Sequence, residues 1–298
     1  MSLVSFVEIQ NKEKTEEAIL RSLDLIQYDY PLKIRNVVIK PNLCYYWDYT
    51  TGQTTDPNFV AAIINLLREQ ISSNLSISIV ESDASAMKCK YAFKMLGYER
   101  LAQNYDVNLV NLSEEKAEEE NISINNQTFN FKVPLIIKNA DLRINVPKIK
   151  YSLPQIKITC ALKNIYGCNP YPLKYKYHKN LDEVIVAINK LMKFNLCILD
   201  GIIVSGVQPK KLGLIMSSLD PVAFDAAASK IAGVNQKSVK HLLLAQKEGI
   251  GNISYTPRGM SLEYFREKYP RKGFKNMIMQ TGYNLVYTFG LEKRLGLE

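Results

Sequence analysis

Short, unbroken apolar runs alternate along this chain with segments of helical periodicity, and that alternation leaves few architectures open. Val37-Val38-Ile39 and Ser76-Ile77-Ser78-Ile79-Val80 have the character of strands buried on both faces. Each ends in polar residues, Lys40-Pro41-Asn42 in the first case and Glu81-Ser82-Asp83 in the second. Between them Asp56-Pro57 opens a helix through Gln70, with Asp56 as N-cap and Pro57 at the first helical position. Further strands are expected at 3–9, 107–110, 142–146, 196–204 and 212–217. Further helices are expected at 13–26, 88–104 with a break at Gly97, 159–166 closed by Gly167, 181–193, 221–232 and 237–248. Strands alternating with helices imply βαβ units with right-handed crossovers. The expected fold class is therefore α/β: a mostly parallel sheet with helices on both faces, in a single compact unit.

One segment interrupts this rhythm. Residues 113–120 are acidic, and Asn125-Asn126 lies between two alternating stretches, which together predict a solvated loop and a hairpin inserted near 113–132. The organisation that follows is one α/β domain over 1–251. A basic, aromatic extension over 252–298 packs on it, irregular apart from one helix near 261–268.

Charge is distributed unevenly. From Leu142 to Lys179 there is no Asp or Glu, against eight basic residues: Arg143, Lys148, Lys150, Lys157, Lys163, Lys174, Lys176 and Lys179. The chain carries a net charge of +9, so the remainder, with 30 basic against 29 acidic residues, is close to neutral. A concentrated positive field attracts phosphate, carboxylate or a nucleic-acid backbone. Lysines here alternate with Ile, Pro, Tyr and Gly, the pattern of a structured anion site rather than of a low-complexity tail. The five cysteines, Cys44, Cys89, Cys160, Cys168 and Cys197, are odd in number and contain no C-x-x-C pair, so neither a disulfide framework nor an iron–sulfur cluster is expected. Cys89 and Cys197 read as small buried hydrophobes. No apolar run approaches membrane-spanning length, and the N-terminal residues read as a strand rather than a signal peptide, so a cytoplasmic protein without a membrane partner is expected.

In open α/β sheets ligands gather beyond the carboxyl ends of the strands. By that rule Lys40, Asn42, Glu81, Asp83, Lys148, Lys150 and Asp200 are expected around one cleft. Thr159 to Gly167 adds a hydroxyl, Lys163 and Asn164 in a short helical segment, an anion cradle in outline though not a Walker P-loop. His178 is the histidine suited to acid–base work, whereas His241 reads as structural. The catalytic candidates are Asp83, Lys148, His178 and Asp200. The substrate-binding candidates are Lys40, Asn42, Lys150, Thr159, Lys163 and Asn164. Lys174 and Lys176 fall in a Tyr/Lys loop where solvent and salt should screen them. If a divalent ion takes part, Asp83 and Asp200 would hold magnesium or manganese through oxygen. For Asp83, Asp200 and Asp220, capping of helices and turns is the competing reading, and Asp225 reads as a buried partner.

Seven of these motifs, taken in order, resemble the family called domain of unknown function 362. They are Val38-Ile39-Lys40-Pro41-Asn42, Thr54-Thr55-Asp56-Pro57, Glu81-Ser82-Asp83, Asn145-Val146-Pro147-Lys148-Ile149-Lys150, Ala161-Leu162-Lys163-Asn164-Ile165-Tyr166-Gly167, Asp200-Gly201 and Asp220-Pro221-Val222-Ala223-Phe224-Asp225. The resemblance covers roughly 35–251 and implies no particular reaction. Some members are described as iron–sulfur proteins through an added cysteine module that this chain lacks. Histidines usual in the family are replaced by Asp56 and, after Lys150, by Tyr151-Ser152-Leu153, so chemistry that depends on them is altered or lost here. His178 corresponds to the family histidine after the Lys-Asn…Gly motif. The functional expectation is an enzyme binding a small carboxylate- or phosphate-bearing metabolite in a lysine-lined cleft, with lyase, isomerase and ligase chemistry all open. The alternatives are a nucleic-acid-binding protein that uses segment 142–179 and a non-catalytic relative of iron–sulfur electron-transfer proteins.

Overall fold

The computed structural model describes residues 1–152, 156–206 and 208–271. Leu153, at one usual family histidine position, and the extension beyond Arg271 lie outside the described residues. The chain runs β1 (Ser2–Glu8), α1 (Thr15–Leu25), β2 (Asn36–Pro41), α2 (Pro57–Gln70), β3 (Ser76–Glu81), α3 (Cys89–Met95), α4 (Tyr98–Asn104) and β4 (Asn108–Asn111). A hairpin of β5 (Ala117–Ile124) and β6 (Gln127–Pro134) follows, then α5 (Leu135–Lys138) and β7 (Leu142–Val146). Next come the two-residue strands β8 (Lys150–Tyr151) and β9 (Ile158–Thr159), α6 (Ala161–Tyr166), a 3-10 turn at Lys174–Asn180 and α7 (Leu181–Met192). The last described part is β10 (Leu196–Val204), β11 (Lys210–Ser218), α8 (Pro221–Ile231), α9 (Lys240–Lys247), β12 (Tyr255–Gly259) and α10 (Leu262–Lys268).

Eight strands form one sheet in the order β12-β1-β11-β10-β7-β2-β3-β4. Every neighbouring pair is parallel except those made by β11, which runs antiparallel to both β1 and β10. Side chains alternate across the sheet as a two-residue period requires. Val37 and Ile39 of β2 join one apolar core and Val38 the other, and Ile79 and Val80 of β3 divide the same way. Helices α1 to α4 pack on the first face; α6, α7, α8 and α10 pack on the second. Both sides are covered, which is why these strands are almost wholly apolar.

Three local differences from the sequence reading have physical causes. Glu118, Glu119 and Glu120 lie in β5 rather than in a loop, because the Asn125-Asn126 turn, with φ of 49° and 64°, pairs the hairpin as far as Ala117 with Pro134. Lys138 bridges Glu118 and Glu120 at 2.5 and 2.7 Å, which offsets their repulsion. The extension supplies β12, an edge strand parallel to β1, as well as the expected helix; Pro257 is tolerated at that edge. Gly167 is not in the left-handed conformation common after a helix; it is right-handed, and its lack of a side chain serves close packing against Asn164, Glu81 and Lys40 instead.

Candidate functional site

The chain winds from β2 through β3 to β4 in one direction, then returns to place β7 and β10 on the other side of β2. At such a reversal the connections leave neighbouring strands in opposite directions, and a crevice opens beyond their carboxyl ends. A cleft of about 380 Å³ lies there. It is lined by Lys40 and Asn42 from the end of β2, Glu81 and Ser82 from the end of β3, and Lys150 and Thr159 from the β8–β9 pair. Lys163 and Asn164 of α6, Lys174 and His178 of the 3-10 turn, and Tyr45 and Tyr175 complete its working surface.

Four lysines face the cleft, with Glu81 as its lining carboxylate. Glu81 is already engaged: its Oε2 accepts from Lys40 Nζ at 2.7 Å, and Lys40 also donates to the Pro41 carbonyl. Both side chains are almost wholly buried. Lys150 Nζ donates to the Gln53 carbonyl at 2.9 Å. Lys174 Nζ donates to Ser82 Oγ and, at 3.1 Å, to the Gly167 carbonyl. Lys163 Nζ sits 3.9 Å from the centre of the Tyr166 ring. Burial, reinforced by repulsion from Lys174 and Lys150, pushes the Lys163 ammonium down to about 7. Burial likewise lowers Lys174. It takes His178 down to about 4, with Lys163 adding to the effect, so the imidazole is neutral near pH 7.

A chain of asparagines fixes the floor. Asn164 Nδ2 donates to Asn145 Oδ1 at 2.8 Å and to the Lys40 carbonyl at 3.2 Å, while its Oδ1 accepts from Asn42 Nδ2 at 2.9 Å. Asn145 in turn donates to the Ala161 carbonyl at 2.9 Å. The start of α6 is held from below by Asp225, whose oxygens accept from the N–H groups of Ala161 and Leu162 at 2.7 and 3.1 Å. Gly167 closes this packing: a Cβ there would lie 2.9 Å from the Asn164 carbonyl and 3.3 Å from both Glu81 Oε1 and Lys40 Cε. Tyr45, on the rim, has φ of 52°, a conformation a bulky side chain adopts at a cost of roughly 1–3 kcal/mol.

The sequence candidates therefore divide. Lys40, Asn42, Lys150, Thr159, Lys163, Asn164 and His178 meet in the cleft. Lys148 and Asp200 do not line it; they form a buried ion pair of 3.1 Å, with Lys148 Nζ also donating to the Ile203 carbonyl and Asp200 Oδ2 accepting from the Asp56 N–H. Asp83 is also outside it. Its Oδ1 accepts from the Cys89 N–H, the first of α3, and its Oδ2 from Lys88 Nζ, both at 2.9 Å. Burial raises that carboxyl, but these bonds outweigh it and hold the group below its ordinary range. Asp83 and Asp200 are not brought together for a metal: three strand spacings, about 14 Å, separate their strands. No cluster of three or more His, Cys, Asp or Glu among the described residues is placed to hold one. Asp56 caps α2 through the Asn58 N–H, and His241 is buried with Nδ1 3.2 Å from Asp182.

Lys174 departs from its expected exposure, with 9% of its surface accessible. The Tyr166 hydroxyl donates to the Lys174 carbonyl at 2.9 Å and draws the turn inward. Of the eight basic residues in 142–179, Lys176 and Lys179 are exposed; the rest are buried or half-buried. A larger hollow of about 810 Å³ lies between the end of α8 and α10, lined by Glu263 and Glu267 as well as Lys157, Arg266 and Arg271. Its charges are mixed and it is away from the strand ends of β2 and β3.

The model of the family described as "Domain of unknown function (DUF362)" matches residues 37–230. A thylakoid-associated protein of Synechocystis sp. is 25% identical over 228 residues, which are 72% of this chain and 68% of that protein. Among solved structures, the lactate racemase apoprotein of Thermoanaerobacterium thermosaccharolyticum aligns with a TM-score of 0.47 at 11% identity, over 78% of this chain and 58% of that one. A Thermotoga maritima protein aligns with a TM-score of 0.39 at 12% identity, over 78% of this chain and 59% of that one.

Proposed function

The chain belongs to the DUF362 family, and from that premise we propose that it is an enzyme that holds a small carboxylate- or phosphate-bearing metabolite in the lysine-lined cleft. The observation that carries this reading is the convergence of Lys40, Lys150, Lys163 and Lys174, from four separate elements, on a space whose lining carboxylate is already paired. An anion entering would relieve the mutual repulsion of these groups, and it would do so where low solvent access strengthens each contact. Asn42 Oδ1 is buried in the same wall with no hydrogen-bond partner among the described residues. It would accept from a hydroxyl or amino group of the ligand. Glu81, Lys163 and His178 are the groups placed for proton movement.

The inward placement of the basic segment favours a small ligand over nucleic acid, since a backbone of phosphates needs exposed cations along its track. Among the described residues no helix is long and apolar enough to cross a membrane. Residence in the cytoplasm remains part of the proposal, beside a relative named for its association with thylakoids. No step in this reading runs through magnesium or manganese.

Calorimetric titration with inorganic phosphate and with malate tests the reading. Lys150→Ala and Lys163→Ala should each weaken the bound anion by about 1.5–3 kcal/mol, the range for hydrogen bonds to charged groups. Lys176→Ala, exposed over the Tyr171 ring at 3.4 Å, should leave affinity unchanged. No binding of either anion, together with salt-sensitive binding of oligonucleotides, would replace the metabolite with nucleic acid.

A further inference from the structure

We propose that Lys163 is a covalent catalytic residue, its amine forming a Schiff base with the carbonyl of a small oxo acid whose carboxylate the neighbouring lysines hold. The inference rests on the anion-binding reading and adds a substrate class and a chemistry to it.

The lysines of this region are not equivalent. Lys40 and Lys148 each have a carboxylate and a carbonyl; Lys150 has a carbonyl; Lys174 has a hydroxyl and a carbonyl. Among the described residues Lys163 Nζ has neither a hydrogen-bond acceptor nor an ion-pair partner, and its contact is the face of the Tyr166 ring. A charged ammonium so placed is poorly stabilised, and the charges facing it make this worse: Lys174 from the 3-10 turn, Lys150 from β8 and Lys40 from β2, opposed weakly by the Cys44 thiol. A half-buried lysine crowded by other cations is the arrangement that supplies free amine at neutral pH. The group falling to about 7 agrees with that geometry. The backbone beneath it is fixed, since Asp225 holds the first N–H groups of α6 and Asn164 is locked into the asparagine chain.

The step balances without an outside oxidant or reductant. The Lys163 nitrogen lone pair forms a C–N bond to the carbonyl carbon, and the C=O π pair moves to oxygen, which takes up a proton from solvent. His178, neutral and lining the same cleft, accepts the proton that the nitrogen loses and returns it to the hydroxyl. The C–O bond then breaks, water leaves and the iminium forms. That cation withdraws electrons from the adjacent carbon, which assists removal of a proton or cleavage of a C–C bond there.

The test is reductive trapping. The full chain is incubated with pyruvate, and separately with 2-oxoglutarate, reduced with sodium borohydride, digested and mapped by mass spectrometry. A reduced adduct should appear on Lys163 and not on Lys40, Lys150 or Lys174. Its yield should rise with pH through about 7 rather than in the range of an ordinary lysine. Lys163→Ala should lose the adduct while retaining the parent's circular dichroism, and Lys176→Ala, exposed outside the cleft, should keep both the adduct and the parent's phosphate binding. No adduct with either acid, or adducts spread evenly over several lysines, overturns the proposal. Phosphate titrated into the same preparation separates the two failures: binding without an adduct removes the Schiff base alone, while neither binding nor adduct removes the anion site as well.

Discussion

At the scale of single residues, the ion pair of Lys40 and Glu81 and the glycine beside it make the sharpest demands. Glu81→Gln leaves a buried ammonium facing a neutral amide, and breaking a buried pair from one side costs about 3–5 kcal/mol. The urea midpoint should fall accordingly, and Lys40→Met introduced together with Glu81→Gln should recover much of that loss, because no buried charge is then left unpaired. Gly167→Ala should destabilise by about 1–3 kcal/mol and weaken anion binding, since the added carbon meets backbone on one side and the ion pair on the other. An unchanged midpoint would show that α6 can move away. Lys40, Asn42 and Lys150 were legible as cleft residues because each follows an apolar run, and position after a strand is a rule that needs no coordinates. Lys148 and Asp200 satisfied the same rule yet pair with each other away from the cleft, because the rule finds a rim and cannot say which rim residues neutralise one another. Lys174 was misread as a solvated loop charge; its burial follows from the Tyr166 hydroxyl eight residues earlier, a contact with no periodic signature.

Among the elements, α6 is short, and its position depends on a carboxylate from elsewhere in the chain. Asp225 sits in α8, buried, and burial raises its carboxyl to about 6, against an ordinary 3.8. A folded-state value above the unfolded one means that its contribution is complete below 3.8 and fades as pH rises through about 6. The shift corresponds to about 3 kcal/mol. Asp225→Asn should therefore flatten the pH dependence of stability across that window, read as the difference in urea midpoint between variant and parent at each pH. Taking the difference cancels His178, whose lowered value acts with the opposite sign. Element types and order were largely legible: the βαβ rhythm, the break at Gly97 and the Asn125-Asn126 turn all have local causes. Strands β8, β9 and β12 were not. Two-residue strands carry no period, and Tyr255–Gly259, with a proline and two positively charged or polar neighbours, becomes a strand because β1 presents an open edge to it.

For the whole molecule, the reversed strand β11 divides the sheet into a parallel body and a smaller margin of β1 and β12. Removing residues 252–298 takes β12 and α10 away and strips Leu262 and Phe265 from the core. That truncation should lower the denaturant midpoint steeply and expose β1 as an edge. Calorimetry and circular dichroism on the shortened chain decide the matter. The same margin has a consequence during synthesis. Strand β1 is translated about 200 residues before one partner, Lys210–Ser218, and about 250 before the other, Tyr255–Gly259, a delay of roughly 10–50 s at ordinary elongation rates. Through that interval the apolar Val4-Ser5-Phe6-Val7 stretch lacks both of its partner strands, which leaves an unpaired edge open to aggregation on the nascent chain.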